Sequence, residues 1–159
     1  MVFQGGHDFG AKPLLPPYGH MLFITTGRGG ETMHGSTLIC DEDFTRETPV
    51  TKHMSDYYFK SCTFSKLDFE GGDFGTVMIF CELRNCDLYW AFMSSGLFVS
   101  TRFVGTSFRG LQFAGSKFIE CTFVDCHFIN DNLGGDCDFT DAKFLDCKFQ
   151  NTAGASAIS

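Results

Sequence analysis

Residues 98–128 read FVSTRFVGTSFRGLQFAGSKFIECTFVDCHF, with phenylalanine at positions 98, 103, 108, 113, 118, 123 and 128. A helix needs apolar residues every three or four positions, and a half-buried strand needs them at every second. A spacing of five satisfies neither. The chain must turn after each short extended piece, so that every fifth side chain points back to a common axis. A period sustained over this length marks a repeat architecture.

The same position runs back through Met93, Leu88 and Leu83 and forward to Leu133. One extra residue near Gly134 and Gly135 then restarts the series at Phe139, Phe144 and Phe149. On the N-terminal side Phe59, Phe64, Phe69 and Phe74 form a further run, joined to Leu83 by one missing residue. Met78 is placed at that junction, with Ile79 as the alternative. Two places before each large residue stands a small one, as at Cys62, Thr76, Cys81, Cys86, Ala91, Gly96, Thr101, Thr106, Ser116, Cys121, Cys126, Cys137, Ala142 and Cys147. Leu67, Leu111 and Asp131 are the exceptions. A narrow coil can close only if one inward side chain is small enough to leave room for the other.

With both inward positions in view, the chain resembles the pentapeptide-repeat family. The motif there is a small residue, a polar one, Leu or Phe, then two variable ones. It recurs here across residues 58–151, as in CTFSK (62–66), CDLYW (86–90) and AKFLD (142–146). The resemblance implies an all-β protein, a right-handed quadrilateral β-helix with four pentads to a coil and about 4.5 coils. Such families include topoisomerase-protecting proteins and secreted effectors. Three segments follow: a non-repeat stretch 1–58, the β-helix 59–151 and a short tail 152–159. Within the first, residues 20–26 and 31–40 have the character of two strands around a Gly-Arg-Gly-Gly turn, which predicts a β-hairpin capping the coil. Residues 41–51 are expected to form a polar connector.

Twelve Lys and Arg stand against nineteen Asp and Glu, a net charge of −7, with the acidic excess in both parts. A phosphate-tracking surface needs a basic stripe, so no direct nucleic-acid binding is expected. No apolar run approaches the roughly 20 residues of a membrane span. The first residues lack a basic start and an apolar core, so no secretory signal is expected; a cytoplasmic location is the default expectation, with export by a non-classical route as the alternative. Of eight cysteines, all but Cys40 occupy the small inward position, where a thiol behaves as a small buried hydrophobe. They are expected to be free, with Cys62 beneath Cys81 and Cys126 beneath Cys147. The histidines at 7, 20, 34, 53 and 127 have no metal-ligand spacing and no catalytic partner. No cofactor, metal or catalytic site is expected.

Folding the sequence into four columns exposes two candidate surfaces. The face led by Met78, Phe98, Phe118 and Phe139 carries Val77, Ile79, Leu97, Val99 and Ile119 outward, and the preceding face adds Phe92. A contiguous apolar group outside a coil marks something that covers it. Residues 1–58, a protein partner or a second copy of the chain are the candidates. Asp68, Glu70, Asp73, Glu82 and Asp87 cluster on the first coils as a candidate acidic surface for a basic partner. The functional expectation is a non-catalytic interaction module. A DNA-mimicking topoisomerase protector and a secreted effector are the alternatives that the resemblance adds.

Overall fold

The computed structural model describes residues 22–23, 37–48, 50–155 and 158. Most pentads give a strand of about three residues with its middle side chain inward, as in Val77–Ile79, Leu97–Val99 and Arg102–Val104. Two residues past the inward one the backbone turns through a left-handed conformation: φ is 55° at Phe80, 51° at Trp90, 47° at Ser100 and 57° at Gly105. That corner converts a period of five into one side of a square.

Successive turns stack as parallel strands. The first face is a 7-stranded sheet of Thr37–Cys40, Tyr57–Lys60, Val77–Ile79, Leu97–Val99, Lys117–Ile119 and Lys143–Leu145, with Leu22–Phe23 antiparallel at its N-terminal edge. The second is a 6-stranded sheet of Asp43–Phe44, Thr63–Ser65, Glu82–Arg84, Arg102–Val104, Thr122–Val124 and Lys148–Gln150. The third joins Asp87–Tyr89, Ser107–Arg109 and His127–Ile129. The fourth is held by single bridges that run from His53 through Asp73, Phe92 and Gln112 to Asp138.

The core is a set of ring columns. Phe98, Phe118 and Phe144 stack at 4.7 and 4.6 Å, and Phe103, Phe123 and Phe149 at 4.7 and 4.9 Å. These separations match the strand spacing of roughly 4.8 Å, so backbone ladder and ring stack impose the same rise. Rings on neighbouring faces meet at a steep angle, 61° for Phe98 and Phe103. Offset-stacked and edge-on pairs are the two favourable aromatic arrangements. The small inward residues also carry hydrogen bonds. Thr101 and Thr106 donate to Met78 and Leu83 carbonyls of the coil below, and Cys121 and Cys126 donate to Phe98 and Phe103 carbonyls. No buried side-chain polar atom among the described residues lacks a partner. A hydroxyl or thiol thus fills the narrow site and satisfies a carbonyl that alanine would leave with the ladder alone.

Several sequence expectations need correction. Met78 is the fully buried junction residue, but Leu133 is 80% exposed and not part of the core. Phe139 stacks on Phe113 at 4.9 Å, so eleven residues separate Phe128 from its successor where five is the rule, and six are extra. Phe139 therefore belongs to the fourth face, and Phe144 continues the column of Met78, Phe98 and Phe118. The same shift sets Cys121 beneath Cys147, with Thr152 above Cys126. The coil also begins earlier than residue 59. Ile39 and Phe44 pair in the ladders with Phe59 and Phe64, and Met54 is fully buried, so the polar run at 41–51 supplies an inward residue and a corner. At the other end Ala153 continues the third-face ladder and Ile158 packs on the core. Leu22–Phe23 lies antiparallel to Thr37–Leu38, while the rest of the expected hairpin, with its Gly-Arg-Gly-Gly turn at 27–30, lies outside the described residues.

Candidate functional site

The first face brings Val77, Ile79, Leu97, Val99 and Ile119 together on its outer side. Val77 pairs with Leu97, and Ile79, Val99 and Ile119 follow one another in one outward column. All are partly exposed. The structure adds three neighbours: Tyr58 and Leu145 continue the two columns, and Phe80, 60% exposed, stands at the corner beside Ile79. Phe80 escaped the sequence reading because corners are the polar and glycine positions of the repeat. A large aromatic at such a corner was the available signal. Phe92 lies outside these two columns, on the fourth face, which precedes the first and meets it at the Ser95 corner.

The five acidic residues do not form one surface. Glu82 is on the second face, where it pairs with Arg84; Asp73 is on the fourth, where it accepts the Gly75 N–H at 2.9 Å. Asp68 and Asp87 adjoin on the third face, and Asp68 accepts the Glu70 N–H at 2.9 Å. Like charges one rung apart repel, and here the repulsion is answered on the next rung. Arg109 forks onto Asp87 through Nε at 3.0 Å and Nη2 at 2.6 Å, with its guanidinium 4.5 Å from the centre of the Tyr89 ring.

The six extra residues build a feature that the sequence reading missed. Residues 130–136 leave the coil at the corner between third and fourth faces. Asp131 organises them: Oδ1 accepts the Leu133 and Gly135 N–H groups at 2.8 and 2.7 Å, and Oδ2 accepts Trp90 Nε1–H at 2.7 Å. Hydrogen bonding from the indole and then from the Gly135 N–H holds the Asp131 carboxyl below the usual carboxylate range. Tyr89 stacks on Trp90 at 4.7 Å and donates its hydroxyl to Asn132 Oδ1. Gly110 lets the loop approach, since a Cβ there would lie 2.7 Å from Asp131 Cβ. Under the loop is a cleft of about 300 Å³ lined by Trp90, Phe92, Gln112, Asp131, Asp136 and Asp138, with Phe92 half exposed. The density of turn formers at 130–136, and an aspartate in a small inward position at 131, were the signals of an excursion.

All thiols but that of Cys40 face into the coil. All eight cysteines are free, and five are buried. Burial pushes the Cys86 and Cys126 thiols up to about 11. Among the described residues no group of three His, Cys, Asp or Glu side chains is arranged to hold a metal ion, and no helix is long and apolar enough to cross a membrane.

No protein-family model matches the chain, and no curated protein matches it. Similar solved structures include QnrB1, a plasmid-mediated fluoroquinolone resistance protein, at 16% identity over 73% of this chain and 66% of that one, with a TM-score of 0.30. HetL, a pentapeptide-repeat protein involved in heterocyst differentiation regulation from the cyanobacterium Nostoc, aligns at 13% identity over 70% of this chain and 44% of its own, with a TM-score of 0.27. Rfr23, a pentapeptide-repeat protein of the cyanobacterium Cyanothece, aligns at 11% over 74% and 84%, with a TM-score of 0.19. The chain thus spans about two thirds of the length of QnrB1 and less than half that of HetL. By its own five-residue period, inward large and small pair and four-sided parallel coil, this chain is a β-solenoid of five-residue repeats, a fold consistent with the pentapeptide-repeat family that its sequence resembles.

Proposed function

We propose that the chain is a non-catalytic protein-interaction module, with the first face as its docking surface. One observation carries the reading: an unbroken apolar group, from Tyr58 and Val77 to Ile119 and Leu145, on the outer side of a rigid sheet. Outward positions of a coil in water favour polar side chains, as the third face shows with Asp68, Glu70, Asp87 and Arg109. Covering such a group contributes about 25 cal/mol for each Å² removed from water, and burial by another surface is the usual reason for a patch of this kind. The rim is charged, with Lys60, Lys117 and Lys143 around the apolar centre, which suits a bounded interface.

The test is Leu97→Glu in the full chain. A charge at the centre of the patch should abolish self-association measured by light scattering, or capture of partners from native lysate. The strand ladders should be unchanged by circular dichroism. If mass, hydrophobic-dye binding and partner capture all match the parent protein, the face is not a docking surface.

A further inference from the structure

The cleft under the 130–136 loop lies at the corner between third and fourth faces, away from the first face, and its chemistry points to a different ligand. Its walls are aromatic. Trp90 and Phe92 are 39% and 50% exposed, and Phe92 has no ring partner among the described residues. Its rim is anionic, because three of its lining residues are aspartates and none is a lysine or arginine. The carboxylates are not equivalent. Asp131 is taken up by Trp90 and by its own loop. Asp138 uses Oδ1 for Thr140, which leaves Oδ2, and the Asp136 side chain accepts no hydrogen bond from the described residues.

One corner away, the protein shows what such a combination binds. Arg109 lies over Tyr89 while its fork engages Asp87. Trp90, stacked on that same Tyr89, and Phe92 repeat the aromatic and carboxylate pairing with no guanidinium present. We propose that the cleft receives an arginine side chain from a basic segment of a protein partner. Ring faces attract a cation, and free carboxylate oxygens accept the planar fork of arginine better than the point charge of lysine. A nucleic acid is disfavoured, because its phosphates would meet three aspartates. A bare metal ion is disfavoured as well, because the aromatic walls offer it no ligand and no ligand group of three forms here. The inference is independent of the first-face reading, since Leu97→Glu leaves the cleft intact.

Trp90 is the sole tryptophan, so its emission reports directly on the site. The full chain is titrated with a short capped peptide carrying one arginine among glycines, and in parallel with its citrulline twin, which keeps the shape without the charge. The arginine peptide should change Trp90 emission saturably in the millimolar range or below, and the citrulline peptide should not. Asp136→Asn with Asp138→Asn should weaken binding by about tenfold or more, as should Phe92→Leu, which removes the ring without altering charge. Asp68→Asn, on the third face, should bind as the parent does. The proposal is overturned by no saturable response, by an equal response to citrulline, or by undiminished binding in both cleft variants.

Discussion

Phe108 shows how much a single residue carries in this coil. It is fully buried, stacks on Phe128 at 4.7 Å and meets Phe103, Phe113 and Phe123 at 5.6 to 6.2 Å. Neighbours fixed by the ladder cannot collapse into the space it leaves. Phe108→Ala should therefore cost about 3–5 kcal/mol in reversible denaturation; a cost under about 1 kcal/mol would mean that the ring is not held in a stack. The thiols make a second prediction at this scale. Cys86 and Cys126 are raised from the ordinary 9.0 to about 11 by burial. The unfolded chain releases these protons first, so their contribution is fully present below about pH 9 and is lost as pH rises towards 11. The denaturation midpoint should fall across that window, and replacing both cysteines with serine should flatten the fall. A midpoint independent of pH from 9 to 11 would contradict their burial.

The element of this fold is the pentad with its left-handed corner, and the corners differ in what they do. Gly115 and Gly110 both turn at positive φ, 69° and 57°. A Cβ at Gly115 meets nothing nearer than Ser95 Oγ at 3.8 Å, whereas at Gly110 it would strike Asp131. Gly115→Ala should show only the backbone cost of about 1–2 kcal/mol. Gly110→Ala should add displacement of the loop, read as greater acrylamide quenching of Trp90 once its bond to Asp131 is lost. Equal quenching in the two variants would mean that Gly110 does not seat the loop. Trp90 and Phe80 occupy corners that cost a bulky L-residue free energy, which the ladder around them offsets. Both border a candidate interaction surface.

At the scale of the whole molecule, the square section sets the two proposed surfaces on different faces. First and third faces look in opposite directions, so the apolar patch and the corner cleft can be occupied at once. The scaffold between them is rigid, because each coil is bonded to the next by backbone on several sides and by ring stacks inside. Leu97→Glu should accordingly shift folding stability by no more than about 0.5 kcal/mol, as surface changes do, while removing association. A large loss of stability from that substitution would place Leu97 inside a fold and not on a docking face.

The period of five, the inward aromatic and the small residue two places earlier were all legible in the sequence, since each is a local spacing that repeats whatever the coil above does. The buried thiols followed for the same reason: a position is inward in every pentad or in none. What stacks on what is different, because it depends on the sum of insertions between two coils. Leu133 falls on the large position of the template, yet it is exposed, since hydrogen bonds from Trp90, Leu133 and Gly135 to Asp131 hold the chain outside the coil. That single excursion moved Phe139 to another face and exchanged the partner of Cys147. The coil at Ile39, Phe44 and Met54 was hidden because its pentads lack the aromatic run, and only ladder pairing to Phe59 and Phe64 reveals it. The outward apolar column from Val77 to Ile119 could be read because no insertion interrupts those coils. The cleft could not, for it joins Trp90 and Phe92 to residues some forty positions away, and nothing but the closed turn brings them together.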